Sequence, residues 1–286
     1  MAMKTNHVVA FGLALLTLAS CNPESEGDLV FTFHFDEQGE RLNNLGEPEP
    51  LPEGHAGQNP RFRGISAHYV ELMASPYTPV GDGLILYQGA ETSLGGANAI
   101  DFREAVVVGQ GEEFARVPLK GLTSGEYPYF RISLSCQNFD VDLKAENGET
   151  YPTTLASFVG YNTYIDSYTL NEETIAVNGN KLQGYWGLEI LGTTLEGQTP
   201  EGATTVPNPF WATAPIPQGS CIVTGAFDRP LTFVEDMDDD VVLEVHITTN
   251  NSFEWVDVIP DGVWEPSADE NVVDMGTRGI RAVILN

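Results

Sequence analysis

The chain has 286 residues and a hydrophobic content of 42%, enough for one large β domain or two small ones with a real core. Only 13 residues are Lys or Arg, whereas 41 are Asp or Glu, so the formal net charge is −28. Such a surface repels nucleic acids and anionic lipids and favours divalent cations or cationic partners. The composition therefore excludes nucleic-acid binding.

The N-terminal residues have the pattern of an export signal. Lys4 precedes an apolar run over residues 8–18, which is too short to span a bilayer. The run ends in Leu-Ala-Ser-Cys21, a string that resembles the lipobox of bacterial lipoproteins, in which the cysteine is lipidated and becomes the new N-terminus. The resemblance implies a signal peptide over residues 1–20 and membrane attachment through Cys21. A signal peptide with an incidental cysteine is the alternative.

Residues 21–28 are expected to form a solvated acidic tether, because residues 22–28 contain three acids and no apolar side chain. This stretch resembles the surface-export signals of Bacteroidota lipoproteins. The resemblance implies an outer-membrane lipoprotein exposed at the cell surface. No later stretch is apolar over about 18 consecutive residues, so the sequence predicts no transmembrane helix.

Alternating apolar and polar residues predict strands along most of the chain. The clearest cover residues 29–35, 67–74, 129–134, 182–191 and 241–248. Asn-Gly pairs at 147–148 and 178–179 predict tight hairpin turns, because type I′ turns need positive φ at both central residues. With 29 Gly, 18 Pro and no clear helical period, the pattern predicts an all-β, antiparallel β-sandwich or jelly-roll-like fold.

Two Pro-rich stretches, 46–60 and 197–219, interrupt the predicted strands and are expected to be long loops. Loops of this length inside a compact domain are usually functional or disordered. The composition of the two halves of the chain does not differ. Residues 29–286 are therefore predicted to form one β-sandwich domain, or two sandwiches that meet near residue 150.

The chain has three cysteines, so Cys136 and Cys221 remain as a pair if Cys21 is lipidated. In an oxidising compartment such a pair is most simply a disulfide. The chain-entropy model assigns a bond across so long a loop about 4–5 kcal/mol. Two buried thiols are the alternative, because a large domain does not need a covalent crosslink.

Catalytic sequence motifs are absent: the chain has no Gly-x-Ser-x-Gly, His-Glu-x-x-His, P-loop, Gly-x-Gly-x-x-Gly or Cys-x-x-Cys. His34, His55, His68 and His246 are each expected to be ordinary polar residues. The sequence therefore assigns no catalytic residue and favours a non-enzymatic protein. Glycan cleavage by two carboxylates is kept as an alternative, because the many acids offer many pairs.

An acidic run precedes the predicted strand at 241–248. Its alternate residues Asp236, Asp238 and Asp240 could direct oxygen ligands toward Ca²⁺. The run is not an EF-hand loop, because Val241 stands at the glycine position and Ile247 at the position of the bidentate Glu. A solvated hairpin turn is the alternative.

Four aromatic residues are candidates for ligand binding. Phe210 and Trp211 lie in the second Pro-rich stretch, and Tyr161 and Tyr164 lie in a tyrosine-rich stretch with Asn and Thr neighbours. Such side chains can stack on sugar rings or peptide surfaces. The alternative is that they fill the end of the sandwich core, the usual place of aromatic side chains.

The strings at 31–36, 70–73 and 273–276 resemble the methanobactin-partner-like family of periplasmic copper-binding β proteins. That resemblance implies copper ligands of the His, Met and oxidised Trp types. Here His34, Met73 or Met275 and a Trp would have to converge. Imidazole and thioether groups are suitable copper ligands.

Longer strings, Gly95–Phe102, Ser157–Tyr164, Asn180–Trp186 and Gly202–Pro209, resemble a family of Bacteroidota cell-envelope lipoproteins. The resemblance spans most of residues 67–285 and implies compartment and lineage without an activity. The sequence therefore predicts a lipid-anchored outer-membrane or surface lipoprotein that acts as a non-enzymatic binding or structural module. Its expected partner is an outer-membrane protein complex or a glycan. A periplasmic copper-binding protein and a glycan-binding or glycan-cleaving protein are the alternatives.

Overall fold

A computed structural model describes residues 27–199, 214–217, 219–234 and 237–285. Apart from two single 3₁₀ turns, all regular secondary structure in these residues is β-strand, which confirms the predicted all-β class. None of these residues belongs to a helix long and apolar enough to cross a membrane. The predicted signal peptide, Cys21, Phe210, Trp211 and Asp236 lie outside the described residues.

The described residues form 18 strands. They are β1 Asp28–Asp36, β2 His55–Gln58, β3 Arg61–Met73, β4 Leu84–Gln88, β5 Glu91–Thr92, β6 Ala99–Asp101, β7 Glu113–Pro118, β8 Gly125–Lys144, β9 Thr150–Phe158, β10 Asn162–Leu170, β11 Glu173–Leu182, β12 Tyr185–Ile190, β13 Thr193–Gln198, β14 Cys221–Phe233, β15 Val241–Thr248, β16 Phe253–Val256, β17 Val272–Met275 and β18 Ile280–Ile284. The two 3₁₀ turns are Phe102–Glu104 and Pro266–Ala268.

Within the described residues these strands form three sheets. The largest has 11 strands, nine of them in the order β13-β12-β9-β8-β14-β18-β15-β1-β7, with β3 paired to β8 and β4 paired to β3. A four-stranded sheet has the order β11-β10-β6-β5, and a three-stranded sheet has the order β17-β16-β2. None of these sheets closes into a barrel, and the arrangement is sandwich-like, as predicted.

The large sheet divides along β8, the longest strand described. The first half of β8, up to Leu134, pairs with β14, and the second half, from Cys136, pairs with β9. Strand β3 runs along the opposite edge of both halves. The large sheet therefore has two arms, the first with β14 beside the first half of β8 and the second with β9 beside the second half. The two arms pack against different parts of the fold.

The main core lies between β1 and β15 on one side and β3 with the first half of β8 on the other. Leu29, Phe31 and Phe33 of β1 are 0–1% exposed and belong to the same cluster as Val70 and Leu72 of β3. Burial of each such side chain contributes about 1.5–3 kcal/mol. The alternation predicted for residues 29–35 is confirmed, and its apolar face forms this core.

The second arm of the large sheet carries a core on each face. Leu155 of β9 packs with Trp255 of the three-stranded sheet. Phe158 of β9 packs with Ile165 and Tyr168 of the four-stranded sheet. Side chains an odd number of positions apart in a strand point to opposite faces. The two small sheets therefore cover opposite faces of this arm.

The strand pairing is mostly antiparallel, as predicted, but the large sheet and the four-stranded sheet are mixed because they also contain parallel pairs. Strands β1 and β15 are parallel from Leu29 opposite Val241 to Asp36 opposite Thr248, and the pairs β14–β18 and β6–β10 are also parallel. Parallel partners need a long connection and are distant in the sequence. Turn residues in the sequence mark connections between consecutive strands, so they do not predict these parallel pairs.

The predicted hairpin turn at Asn178-Gly179 is wrong, because both residues lie inside β11 at a shift in its register against β10. Asn178 has a φ of 51°. Bulges and turns both use this left-handed conformation, so an Asn-Gly pair is compatible with either structure. The predicted turn at 147–148 is confirmed, since Gly148 has a φ of 79° between β8 and β9.

Two further predicted boundaries differ from the structure. The Pro-rich stretch 46–60 is not wholly a loop, because it contains β2, which pairs with β16. The single strand predicted over 182–191 is divided, since β11 ends at Leu182 and β12 begins at Tyr185. Gly184, with a φ of 84°, forms part of the break.

A candidate ligand-binding face

A polar and aromatic surface covers one end of the four-stranded sheet. We call it the tyrosine face, and it comprises Asn98, Arg103, Tyr161, Asn162, Tyr164 and Asn180. The parallel pairing of β6 with β10 and the antiparallel pairing of β10 with β11 bring these residues together. Three of the four strings that resemble the lipoprotein family, 95–102, 157–164 and 180–186, meet here.

Glycines bring the loop before β6 close to this face. A Cβ atom on Gly95 would lie 1.9 Å from Asn180 Oδ1, so any other residue here would displace the Asn180 side chain. Gly96 has a φ of 95°, which a glycine adopts without strain. Asn180 Nδ2 donates a hydrogen bond to the carbonyl oxygen of Ala97 at 3.2 Å. The side chain of β11 thereby fixes the loop backbone.

Asn98 joins the loop to β10 and β5. Its Nδ2 donates to Glu91 Oε2 at 2.7 Å and to the Tyr161 hydroxyl oxygen at 3.4 Å. Its backbone carbonyl accepts a hydrogen bond from Asn162 Nδ2 at 2.9 Å. Three side-chain amides are thus held by specific bonds rather than left to rotate in solvent.

His68 of β3 lies fully buried beneath Tyr161. The two rings meet edge to face at 5.7 Å, and His68 Nε2 is 3.3 Å from Glu91 Oε1. Burial lowers the pKa of His68, against the opposing effect of Glu91, so the imidazole is neutral at neutral pH. Burial, the charge of Glu91 and a hydrogen bond to Glu91 raise the pKa of Tyr161, so its hydroxyl keeps its proton and donates it to that carboxylate.

Arg103 lies over the ring of Tyr164, with its guanidinium carbon 5.4 Å from the ring centre. Asp101 holds it in place by accepting from Nε at 2.8 Å and from Nη2 at 2.5 Å. These bonds from Arg103 lower the pKa of Asp101 although its burial opposes the shift. The paired guanidinium therefore stiffens the face and adds little net charge to it.

The structure brings only part of the predicted aromatic set together. Tyr161 and Tyr164 lie on the same sheet and are half-buried. Tyr168, from the same tyrosine-rich stretch, is only 5% exposed and belongs to the core. Phe210 and Trp211 lie outside the described residues. The sequence analysis missed Asn98, Arg103, Asn162 and Asn180 as site residues; the resemblance strings contain the three asparagines but not Arg103.

The predicted calcium ligand Asp240 has another role. It accepts a hydrogen bond from the backbone N–H of Asp28 and another from Arg116 Nη1, both at 2.9 Å, and these bonds lower the pKa of Asp240. Asp238 is exposed, and Asp236 lies outside the described residues. As they stand, the described residues contain no group of three or more His, Cys, Asp or Glu side chains arranged to hold a metal ion.

Cys136 and Cys221 are free thiols, so the predicted disulfide is not formed in this structure. Cys221 lies opposite Leu134, two residues before Cys136 on β8. Diagonal neighbours of this kind are about 7–8 Å apart, which exceeds the usual Cα separation across a disulfide. Burial raises the pKa of both thiols to about 12, which keeps them protonated.

The residues that the copper-protein resemblance implies lie in different parts of the fold. Met275 packs with Phe253 and Trp255 in the core under the three-stranded sheet. Met73, at the end of β3, is fully buried. His34 lies on β1 and stacks against His246. The structure therefore does not assemble the His, Met and Trp set of that resemblance.

A second concave surface lies between the turn after β10 and the turn after β12. This open groove has a volume of about 630 Å³, and its lining includes Arg63, Asn171 and Glu189. Arg63 Nη1 donates to Asn171 Oδ1 at 2.5 Å, and Asn171 Nδ2 donates to Glu189 Oε2. These polar groups already form hydrogen bonds with one another. The groove therefore offers a ligand fewer free donors and acceptors than its acidic lining indicates.

Comparison with known proteins does not identify a ligand for the tyrosine face. No protein-family model, curated protein or solved structure matches the chain. The asparagine amides are held in place by internal hydrogen bonds, and the two phenol rings add flat apolar surface with a hydroxyl at the edge. This combination suits a flat ligand that has one apolar side and many hydroxyl groups.

Proposed function

We propose that this protein is a lipid-anchored cell-envelope lipoprotein whose β-sandwich is a non-enzymatic binding module, and that the tyrosine face binds a neutral glycan. One observation carries the binding part of this proposal: three asparagine amides and two tyrosine rings from three separate stretches of the chain converge on one sheet. The anchoring part rests on the N-terminal sequence.

The start of the folded body supports the anchoring part. Strand β1 begins at Asp28, where the predicted acidic tether ends. Arg116 Nη1 lies 3.2 Å from Asp28 Oδ2 and 2.9 Å from Asp240 Oδ2, so the first folded residue is fixed to β7 and to the start of β15. A lipid on Cys21 would therefore connect to a firm attachment point through only a few solvated residues.

The physical properties of the face support a glycan as the ligand. A sugar ring has an apolar side that can lie on a tyrosine ring and hydroxyl edges that can bond amide groups. Because the amides are already held, binding loses less conformational entropy than with mobile side chains. The net charge of −28 repels anionic polymers, which favours a neutral glycan.

The acids at this face favour binding over cleavage. Retaining and inverting glycosidases need two carboxyl groups across a cleft, one of them poised to donate a proton. Here Asp101 accepts both guanidinium bonds of Arg103, and Glu91 accepts from Asn98 while it faces His68. Both carboxylates are therefore occupied as hydrogen-bond acceptors, and the bonds from Arg103 lower the pKa of Asp101, which opposes proton donation.

Calorimetric titration of the mature protein with neutral oligosaccharides of glucose, mannose, galactose and xylose tests the binding surface. We expect Tyr161→Ala and Tyr164→Ala each to lower the affinity about tenfold, because each removes a stacking surface of about 1–2 kcal/mol. Tyr77→Ala is the control, since Tyr77 is 58% exposed and lies away from the face. Absence of binding in the whole series, or an equal loss in the control, would refute the glycan proposal.

Mass spectrometry of protein purified from native membranes tests the anchor. We expect a diacylglyceryl adduct on Cys21 and no residues before it, and Cys21→Ser should release the protein from the membrane fraction. An unmodified N-terminus with residues 1–20 still attached would end this part of the proposal. Alkylation of the same sample in denaturant without reductant tests the disulfide, because unfolding exposes free thiols whereas a Cys136–Cys221 bond would still block labelling of both.

A further inference from the structure

Two histidines face each other on the outer surface of the large sheet, away from the tyrosine face. His34 of β1 and His246 of β15 are direct partners in the parallel register. Their rings stack with centroids 5.3 Å apart and planes 20° apart. The neighbouring Phe33 and Val245 point inward to the main core, so strand alternation places both imidazoles on the outer face.

A carboxylate lies near the Nε2 atoms of both rings. Glu244 is two residues before His246 and so shares its face of β15. Glu244 Oε1 is 3.7 Å from His34 Nε2, and Glu244 Oε2 is 3.4 Å from His246 Nε2. The three side chains are between 22% and 33% exposed, so a small ion can reach them from solvent.

The hydrogen bonding of the two rings is incomplete. His246 Nε2 is shielded from solvent and has no hydrogen-bond partner among the described residues. His34 Nε2 has Thr32 Oγ1 at 3.1 Å, and His34 Nδ1 has Gln110 Nε2 at 3.5 Å. A shielded nitrogen without a partner costs about 1–3 kcal/mol, which an ion at this position would recover.

The spacing of these donors is close to that around a four-coordinate ion. Metal–ligand bonds of about 2.0–2.1 Å in a tetrahedron place the ligand atoms about 3.3–3.4 Å from one another. Each histidine Nε2 is near this distance from one oxygen of Glu244, His34 at 3.7 Å from Oε1 and His246 at 3.4 Å from Oε2. The two imidazoles are stacked rather than convergent, so they must tilt toward each other, and the outer torsion of histidine allows such rotation at low energy.

We infer that His34, Glu244 and His246 form a site for a divalent transition-metal ion of the Zn²⁺ type, which closes when the ion binds. Two imidazole nitrogens and a carboxylate oxygen favour Zn²⁺ over Ca²⁺, which takes oxygen ligands only. A water molecule occupies the fourth position. Neither Met73 nor Met275 takes part.

The surroundings of the site allow a cation. The nearest positive side chain by register is Arg281 of β18, opposite His246. Arg281 Nη2 is 2.5 Å from Glu40 Oε2, so its charge is largely compensated. The excess of acids over bases in the whole chain also raises the local concentration of divalent cations.

Titration of the chelator-stripped mature protein with Zn²⁺ in a calorimeter tests the site. We expect one equivalent to bind in the micromolar range, and His34→Ala and His246→Ala each to weaken binding by about tenfold or more. Glu244→Gln should weaken it less, because an amide oxygen can still ligate. Titration with Co²⁺ should give the visible spectrum of a tetrahedral site in the parent protein and lose it in the histidine variants.

His55→Gln is the matched control, because it also removes a quarter-exposed imidazole but lies in a different part of the fold. Thermal melts of every variant separate loss of binding from loss of folding. Equal zinc affinity in the parent and in both histidine variants would show unspecific binding to surface carboxylates and overturn the inference. Failure to bind Zn²⁺, or equal competition by Ca²⁺, would overturn it too. Glycan binding at the tyrosine face is measured separately and does not depend on this result.

Discussion

Glu71 and Glu254 are both strand carboxylates that are almost completely buried, yet their surroundings differ. Glu71 of β3 is 0% exposed and has one charged partner, with Oε2 accepting from Arg131 Nη1 at 2.9 Å. Its Oε1 accepts from the backbone N–H groups of Gly81 and Gly83 at 3.1 and 2.6 Å. Every bond of this carboxylate is internal to the protein.

The pair of Glu71 and Arg131 holds the loop between β3 and β4 against the sheet. Arg131 Nη2 donates to the carbonyl oxygen of Thr78 at 2.6 Å, so both members of the pair bind loop backbone. Burial lowers the pKa of Arg131, and the adjacent Glu71 carboxylate opposes that shift. We call this arrangement the sealed pair.

Glu254 of β16 is instead the hub of an open network. Its Oε2 accepts from Arg278 Nη2 at 2.8 Å and also from Arg41, and its Oε1 contacts Nδ1 of His55. Arg278 also reaches Glu49 and Asp274, each at 3.0 Å. The network joins the segment that contains β2 to β16 and β17.

The titration of the open network has two opposite parts. Burial alone would raise the pKa of Glu254, but the bonds from His55 and Arg278 and the charges of both arginines outweigh it and lower the pKa. Burial raises the pKa of Asp274 to about 6, although Arg278 opposes this. The sealed pair thus holds one loop against the sheet, whereas the open network contains two carboxyl groups whose pKa values are shifted in opposite directions.

The largest expected effect comes from breaking the sealed pair. Glu71→Ala should lower the free energy of unfolding by about 3–5 kcal/mol, because it leaves the Arg131 guanidinium buried without its counter-charge. Urea denaturation of the mature protein measures this change. A loss below about 1 kcal/mol would mean that the loop already exposes the pair to water.

The matched control for this prediction removes both charges. Glu71→Leu combined with Arg131→Met should recover much of the stability, because no unpaired charge is left in the interior. The loop between β3 and β4 should still be cut faster by protease than in the parent protein, because Gly81 and Gly83 lose their acceptor. Equal stability of the single and double variants would contradict the role assigned to the ion pair.

A smaller effect is expected in the open network. Glu254→Gln should lower the free energy of unfolding by about 1–3 kcal/mol, because charge-assisted hydrogen bonds weaken while Arg278 keeps its other acidic partners and the new amide oxygen still accepts from Arg41. Arg278 retains Glu49 and Asp274 and is 20% exposed, and His55 is 25% exposed. The same denaturation experiment measures it. If Glu254→Gln lowered the free energy of unfolding more than Glu71→Ala does, the sealed pair would not be the more important of the two for stability.

The smallest expected effect is a dependence on pH. Folded Asp274 has a pKa of about 6 against an ordinary value of 3.8, so between these values the folded state holds more protons than the unfolded state. The stability that Asp274 contributes therefore falls as the pH rises through about 6. Relative to Asp274→Asn, the parent protein should lose about 1 kcal/mol between pH 4 and pH 7, allowing for the 32% exposed side chain.

Two controls isolate the contribution of Asp274. Asp142→Asn removes an exposed carboxylate that is paired with Arg61, and it should show no comparable dependence on pH. Glu254 acts in another window, because its lowered pKa means that its stabilisation is present above about pH 4.5 and is lost below it. A flat difference between the parent protein and Asp274→Asn from pH 4 to pH 7 would refute the assignment.

Neither buried carboxylate could be recognised in the sequence. Glu71 lies inside a stretch predicted as a strand, and Glu254 lies between Phe253 and Trp255, so both resemble the polar, outward positions of alternating strands. Their burial depends on what covers the second face of each strand. That cover is the loop over residues 74–83 for Glu71 and the segment with Arg41 and His55 for Glu254.

The candidate site was predictable in part. Tyr161 and Tyr164 were candidates from the sequence, because tyrosines with Asn and Thr neighbours are typical of ligand surfaces. Asn98, Asn162 and Asn180 are ordinary loop or strand residues when taken singly. They become a site only through the pairing of β10 with β6 and β11, and a parallel pairing of only two residues between β6 and β10 leaves no periodic signal.

The sequence by itself determined the all-β class, the strands at 29–35 and 241–248 and the turn at 147–148, because alternation and positive-φ turns are local properties of a few consecutive residues. Only the tertiary structure decided that β1 and β15 pair in parallel, that the large sheet divides along β8, and that His34 faces His246. These contacts join residues far apart in the chain, and their energy comes from burying surfaces that no local pattern identifies as partners.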